Sequence, residues 1–284
     1  MSVTKLLVAG AGQMGAGIAQ VSAVAGLDVV MVDVAEEFIA RGMAGIEKGL
    51  GRLVEKGRME AADRDAALAR ITTGTDITAG VDADLFVEAA PESLDIKKGL
   101  FEQAAATLRA DAILASNTSS LPITGLAKFV THPERFVGIH FFNPVPLMAL
   151  VEVVVGEQTS DDTVAAARAF AERVGKTPIT VKDSPGFVVN RILFPMINEA
   201  ANAFDEEVAT AEDIDTGMKL GANWPMGPLA LADLVGLDTT TAILETLERE
   251  LGDARYAPSP ALVRLRDAGK LGRKTGSGFY DYGK

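Results

Sequence analysis

A glycine-rich turn near the amino terminus constrains this chain more than any other feature. Gly10-Ala11-Gly12-Gln13-Met14-Gly15 has G-x-G-x-x-G spacing, follows the apolar run Leu6-Leu7-Val8-Ala9 and opens a helical pattern from Met14 to Ala25. In such a strand–turn–helix the glycines give the tight turn, a close backbone approach to a pyrophosphate, and close helix–strand packing. The helix N-terminus adds N–H donors for the anion. The next apolar run, Asp28 to Val32, ends at Asp33, 18 residues beyond Gly15. A carboxylate there accepts a ribose 2′-hydroxyl and repels a 2′-phosphate, and no arginine follows directly. The pattern implies a dinucleotide site built on Gly10 to Gly15 and Asp33, with NAD favoured over NADP.

The rest of the first half continues the theme. Asp84 to Val87, Ala112 to Ala115 and Phe136 to His140 read as buried strands, with Ser93 to Leu108 as a helix between them; Leu150 to Val155 and Thr177 to Val181 are further strands. This alternation predicts an α/β fold of Rossmann type, a doubly wound and mostly parallel sheet. A long insert from about Glu36 to Arg70 looks helical throughout. The pattern changes at Asp183-Ser184-Pro185-Gly186, where Ser184 as N-cap and Pro185 at the first helical position predict a helix start. Apolar residues then recur at helical spacing through Phe204, with Pro195 expected to kink the helix. Thr210 with Asp213, and Ser259-Pro260, predict further helix starts. No strand is evident after residue 185. The expected domains are residues 1–184, an α/β domain with a helical insert at about 36–70, and 185–284, all helical.

Composition narrows the chemistry. With 284 residues, two domains with proper cores are expected. The net charge of −12 argues against a nucleic-acid partner, although a local cationic patch can still bind a small phosphorylated molecule. Cysteine is absent, which removes disulfides, thiolate catalysis and cysteine-ligated metals, and no metal site is expected. The uncharged run from Leu6 to Leu27, ending near Ala23-Val24-Ala25, superficially resembles an export signal. Glycines at 10, 12, 15, 17 and 26 break it up, so a cytoplasmic protein without a membrane span is expected.

Oxidising an alcohol requires a base with a pKa near the working pH. The chain has two histidines, His132 and His140. His132 lies in a loop sequence, Thr131-His132-Pro133-Glu134. His140 ends a buried strand, and ligands of open α/β sheets bind at the carboxyl ends of strands. Glu152, alone among the apolar residues of Leu150 to Val155, needs a buried partner and is the candidate to orient the histidine. Ser116-Asn117-Thr118-Ser119-Ser120 also follows a strand. Its hydroxyls suit either a substrate or cofactor contact or ordinary turns and helix caps.

These residues resemble the L-3-hydroxyacyl-CoA dehydrogenases. The resemblance is carried by Gly10 to Gly15, Ser116 to Leu121, His140-Phe141-Phe142-Asn143-Pro144-Val145-Pro146, Asp183 to Arg191, Met218 to Gly221, Pro225 to Pro228 and Lys274 to Tyr280. It runs in order over essentially the whole chain, in the compact bacterial length. It implies that His140 is the general base and that Glu152 orients it. It implies that Ser119 and Asn190 contact the substrate's 3-oxygen and thioester region, and that Glu92, Lys97, Asn143 and Lys274, with Asp33, contact NAD. The insert corresponds to the family's coenzyme A arm. Lys56 corresponds to a CoA-phosphate contact, whereas Gly49 stands where the family carries a serine. Arg41, Lys48, Arg52 and Lys56 are spaced 7, 4 and 4 apart, on one helical face suited to an acyl-CoA's phosphates or simply to solvent.

The expected reaction is NAD-dependent oxidation of a (3S)-3-hydroxyacyl-CoA, 3-hydroxybutyryl-CoA in particular, or the reverse reduction, with the substrate entering between the domains. A homodimer through the C-terminal domain is a further implication of the resemblance. Relatives that oxidise free hydroxy acids such as L-gulonate, including lens crystallins, share the glycine turn and the histidine–glutamate pair. A non-catalytic NAD-binding protein is the third reading, and it predicts loss of His140 or Glu152, both of which are present.

Overall fold

Hydrophobic strand sequences pair around β1 (Lys5–Ala9), whose Leu6, Leu7 and Val8 are wholly buried. The computed structural model describes residues 3–283 and divides into two compact units, Met1–Ser184 and Pro185–Lys284. In chain order the first unit comprises β1, α1 (Gln13–Val24), β2 (Asp28–Val32), α2 (Glu36–Glu55), α3 (Ala61–Ala69), β3 (Ile71–Gly74), β4 (Leu85–Glu88) and α4 (Leu94–Thr107). It continues with β5 (Ile113–Ser116), α5 (Ile123–Leu126), β6 (Phe136–Phe141), β7 (Leu150–Val155), α6 (Asp161–Arg173) and β8 (Thr177–Lys182).

The eight strands form one sheet in the order β3-β2-β1-β4-β5-β6-β7-β8. Every neighbouring pair is parallel except β6–β7, which is antiparallel. Strand order reverses between β1 and β4, the point at which an open α/β sheet leaves a crevice beyond its strand ends. The fold is therefore the Rossmann type, with a mostly parallel sheet and a helical C-terminal unit.

Two local features differ from the sequence expectation. The insert is not one helical stretch: α2 ends at Glu55, Gly57 adopts φ 64, and α3 starts at Ala61. A left-handed residue cannot continue a right-handed helix, and the short edge strand β3 follows where no strand was anticipated. The second unit's first helix, α7 (Val189–Asp205), begins at Val189 rather than after Ser184. Gly186 (φ 73) and Phe187 (φ 50) are both left-handed, which delays the helix by one turn.

Beyond α7 lie α8 (Ala211–Gly221), α9 (Pro228–Val235), α10 (Leu237–Leu251) and α11 (Pro260–Asp267). Pro195 is accommodated within α7. Thr210 accepts from the Asp213 N–H and Ser259 from the Ala261 N–H, as helix caps. Phe194, Ile197, Leu229, Leu237, Leu244 and Leu262 make the core of this unit. Two buried aspartates fasten its tail: Asp233 accepts from the Phe279 and Tyr280 N–H groups, and Asp215 from the Tyr280 hydroxyl. Among the described residues no helix is long and apolar enough to cross a membrane.

Candidate active site

Three glycines of the turn meet three different demands. Gly10 has φ 112, and a Cβ there would lie 2.5 Å from the Ala89 carbonyl oxygen at the end of β4. Gly15 packs against the Gly10 carbonyl so closely that no side chain fits between helix and strand. Gly12, by contrast, has nothing within 4 Å of a would-be Cβ. It is the N-cap of α1, with no side chain bonded to the cap and no acidic residue in the first turn. Fold packing therefore explains Gly10 and Gly15, while open space with outward N–H groups at Gly12 fits an approaching anionic dinucleotide. Asp33, half-buried after β2, accepts from the Ala11 N–H and the Val34 N–H at 2.7 Å each. Each carboxylate oxygen retains a lone pair for a further donor, which suits a ribose hydroxyl.

At the far side of the strand-order reversal, β6 presents His140 and β7 presents Glu152. They are register partners in the antiparallel ladder. His140 is 6% exposed and Glu152 is fully buried, and Nδ1 lies 2.7 Å from Oε2. A carboxylate accepts only, so the ring proton shared with it sits on Nδ1 and proton exchange falls to Nε2. The Phe142 ring packs on the imidazole with centroids 4.6 Å apart. His132, the other histidine, is an exposed loop residue beside Glu134.

Between these two centres a polar network, buried at Glu88, Lys97, Ser116 and Thr118, organises the Ser116–Ser120 loop. Glu88, at the end of β4, accepts from Lys97 Nζ (2.6 Å), the Ala90 N–H (2.7 Å) and Ser116 Oγ (2.6 Å). Lys97 is 1% exposed and also pairs with Glu92 at 3.1 Å. Glu92 in turn accepts from the Thr118 hydroxyl (2.5 Å), the Ser119 and Ser120 N–H groups (3.1 Å each) and the Ser120 hydroxyl (2.9 Å). Burial pushes the Glu92 carboxyl up, but the Lys97 charge and the Thr118 and Ser120 hydroxyls outweigh it and hold it below its ordinary value. Asn117 steers the neighbouring strand, its Oδ1 accepting the Phe141 N–H at 2.9 Å.

Lys97 therefore stands behind Glu92, with its ammonium enclosed by Glu88, Glu92 and the Ala90 carbonyl. Glu88 was not anticipated, although the rule that singled out Glu152 applies to it: a carboxylate ending an apolar strand needs a partner.

The remaining predicted residues are distributed over both units. Asn143 is exposed after β6 and Ser119 is half-buried. Arg41, Lys48, Arg52 and Lys56 are all exposed on α2 and at its C-cap. Arg41 lies over the Phe38 ring at 4.7 Å. A Cβ on Gly49 would meet Gln20 Oε1 at 3.0 Å, so this position is tight against α1. In the helical unit Asn190 is the second residue of α7. Lys274 bonds Asp238 at 2.5 and 2.6 Å.

Comparison with known proteins gives the family of the chain. The profile of the 3-hydroxyacyl-CoA dehydrogenase NAD-binding domain matches residues 5–184, and that of the same family's C-terminal domain matches 186–282. A probable 3-hydroxybutyryl-CoA dehydrogenase of Deinococcus radiodurans is 54% identical, over 98% of this chain and 100% of its own. The mitochondrial hydroxyacyl-coenzyme A dehydrogenase of Sus scrofa is 46% identical, over 99% of this chain and 91% of its own. The crystal structure of (S)-3-hydroxybutyryl-CoA dehydrogenase from Ralstonia eutropha superimposes with a TM-score of 0.97 at 50% identity, covering 100% of both chains.

Proposed function

Because the chain belongs to the 3-hydroxyacyl-CoA dehydrogenase family, NAD-dependent oxidoreductases acting on a CH–OH group, we propose that it interconverts (3S)-3-hydroxybutyryl-CoA and acetoacetyl-CoA through the His140–Glu152 pair. The observation that carries this reading is the buried 2.7 Å contact between His140 Nδ1 and Glu152 Oε2 at the carboxyl end of β6. NAD, when bound, would supply the hydride acceptor for C3 of the substrate, and NADH the hydride donor in the reverse direction.

In the oxidative direction His140 Nε2 takes the 3-hydroxyl proton as C3 loses hydride, and in reduction it gives that proton back. Glu152 holds the ring in the tautomer with Nδ1 protonated and stabilises the imidazolium formed on proton uptake. Ser119 and Asn190 contact the 3-oxygen and the thioester region. The Gly10–Gly15 turn, including Ala11, Gln13 and Met14, would hold the cofactor pyrophosphate. Asp33 would hold the adenosine ribose, with Glu92, Asn143 and Lys274 as further contacts and Lys97 acting through Glu92. Lys56 and the basic face of α2 take the phosphates of CoA.

Homodimerisation through the helical unit belongs to the same reading. It is supported by the exposed apolar side chains Val188, Ile192 and Met196, spaced four apart from the N-cap of α7 into the helix, and by Leu220 on α8. The assay that tests the proposal follows NADH oxidation with acetoacetyl-CoA, with NADPH, longer 3-ketoacyl-CoAs and L-gulonate with NAD in parallel. Turnover of acetoacetyl-CoA with NADH is expected; turnover of gulonate without the CoA esters overturns the reading.

A further inference from the structure

A buried lysine outside the site is bonded to the loop between β6 and β7. The loop of residues 142–149 joins β6 to β7, starting at Phe142 against the His140 ring and carrying Asn143. Its internal turn is closed by the Leu147 and Met148 N–H groups on the Pro144 carbonyl, at 2.9 and 3.0 Å. Pro146, Leu147 and Met148 are exposed, so packing does little to fix them. Val145 is the exception: it is buried against α1 at Gly17, where a Cβ would come within 2.8 Å of the Val145 Cβ.

Lys176 reaches this loop from the turn between α6 and β8. It is 8% exposed, and Nζ donates to the Val145 carbonyl at 2.6 Å and the Met148 carbonyl at 2.8 Å. The next residue bonds the loop's end, the Thr177 N–H donating to the Ala149 carbonyl at 2.7 Å. No carboxylate pairs with Lys176 among the described residues. Burial alone pushes its ammonium below the usual lysine value.

The base of Lys176 is itself fixed. α6 ends in a two-bond Schellman turn, with the Gly175 N–H on Glu172 O at 3.0 Å, the Lys176 N–H on Ala171 O at 2.9 Å, and Gly175 at φ 77. The turn fixes the backbone from which the Lys176 side chain extends, and the two carbonyl bonds hold its ammonium end. Desolvating an unpaired ammonium is costly, and a methionine fills similar space without that cost. What lysine adds is a pair of charge-assisted bonds to two carbonyls of one loop.

We propose that Lys176 is a positioning residue for the reaction, pinning the 142–149 loop so that Phe142 and Asn143 keep their places beside His140 and the cofactor. The inference rests on the assignment of His140 and Asn143 made above. The full chain with Lys176→Met or Lys176→Gln is compared with the unaltered protein. The readouts are kcat and KM for NADH with acetoacetyl-CoA, and amide hydrogen exchange.

In Lys176→Met the Leu147 and Met148 amides exchange faster by about tenfold or more, while the Gly138 and Val154 amides, register partners in the β6–β7 ladder, keep their protection. Activity, as kcat/KM for NADH, falls about 10- to 100-fold, the usual effect of a small misplacement of reacting groups. Lys176→Gln, which retains N–H donors, recovers part of both changes. Unaltered activity with a loosened loop overturns the proposal, as does loop and ladder exchange rising together, which marks a purely structural residue. If Lys176→Met does not fold, Lys176→Gln is read against the same two outcomes. Near-normal turnover in a parallel His140→Gln variant refutes the site assignment instead and leaves the loop-exchange result to report on the Lys176 tie.

Discussion

Glu152 lies directly across the β6–β7 ladder from His140, and its Oε2 stands 2.7 Å from the ring Nδ1. Both are buried, and one ring edge is held against a carboxylate. His140→Gln is expected to lower kcat by about 10²- to 10⁴-fold, the usual worth of a general base, with NADH affinity changed less than about threefold. Glu152→Gln keeps an acceptor but removes the charge that favours the imidazolium, and its kcat is expected to fall about 10²-fold or more. Steady-state kinetics with a fluorescence titration of NADH separates the two quantities.

Gly10 and Gly12, two residues apart, should respond oppositely to alanine. At Gly10 the φ of 112 and the Ala89 carbonyl oppose a methyl group, so Gly10→Ala should cost about 1–3 kcal/mol of stability. At Gly12 the fold leaves room, and loss of a glycine cap costs no more than about 1 kcal/mol. NAD affinity in Gly12→Ala should nevertheless fall about tenfold or more, because the methyl group occupies the space the pyrophosphate needs. Thermal unfolding and calorimetric NAD titration of both variants test the contrast.

The basic face of α2 makes a substrate-specific prediction. Lys56→Ala should raise KM for acetoacetyl-CoA about tenfold, the scale of one lost charge-assisted bond, with kcat unchanged. A pantetheine thioester, which lacks the nucleotide phosphates, should show no difference between the variant and the unaltered enzyme. An equal rise in KM for both substrates removes Lys56 from phosphate recognition.

Glu92 links acidity to the order of the Ser116–Ser120 loop. Its carboxyl is held below its ordinary value of 4.5 despite partial desolvation, through Lys97 and the Thr118 and Ser120 hydroxyls. A depressed carboxylate stabilises the fold fully above that ordinary value and loses its contribution as pH falls through the lower folded value. The Tm gap between the unaltered protein and Glu92→Gln should therefore be constant from about pH 6 to 8 and shrink below about 4.5. Melting curves across that range decide it, and a gap that widens on acidification contradicts the assignment.

Strong local signals were legible in the sequence. Apolar runs bounded by glycine and polar residues located the strands that became β1, β2, β4, β5, β6, β7 and β8. A lone carboxylate in such a run identified Glu152, and the same reasoning extends to Glu88. What escaped depends on neighbours rather than on pattern. β3 is four residues long with Thr72 and Thr73 exposed, and it pairs only because β2 offers an edge. The delayed start of α7 rests on left-handed backbone at Gly186 and Phe187, which the favourable Ser184-Pro185 signal concealed. Lys176 reads as an ordinary charged residue and Lys97 as a cofactor contact, because burial of a lysine is set by carbonyls and carboxylates distant in the chain.

The antiparallel turn-back of β6 onto β7 also bears on how the protein comes to exist. His140 and Glu152 are separated by only 12 positions in sequence, whereas neighbouring parallel strands of the sheet must wait for a long crossover to close. Short-range contacts are entropically cheap to form and arise early in folding. The most exacting geometry of the candidate site is thus entrusted to a hairpin whose two strands lie close together in the chain and both precede the helical unit.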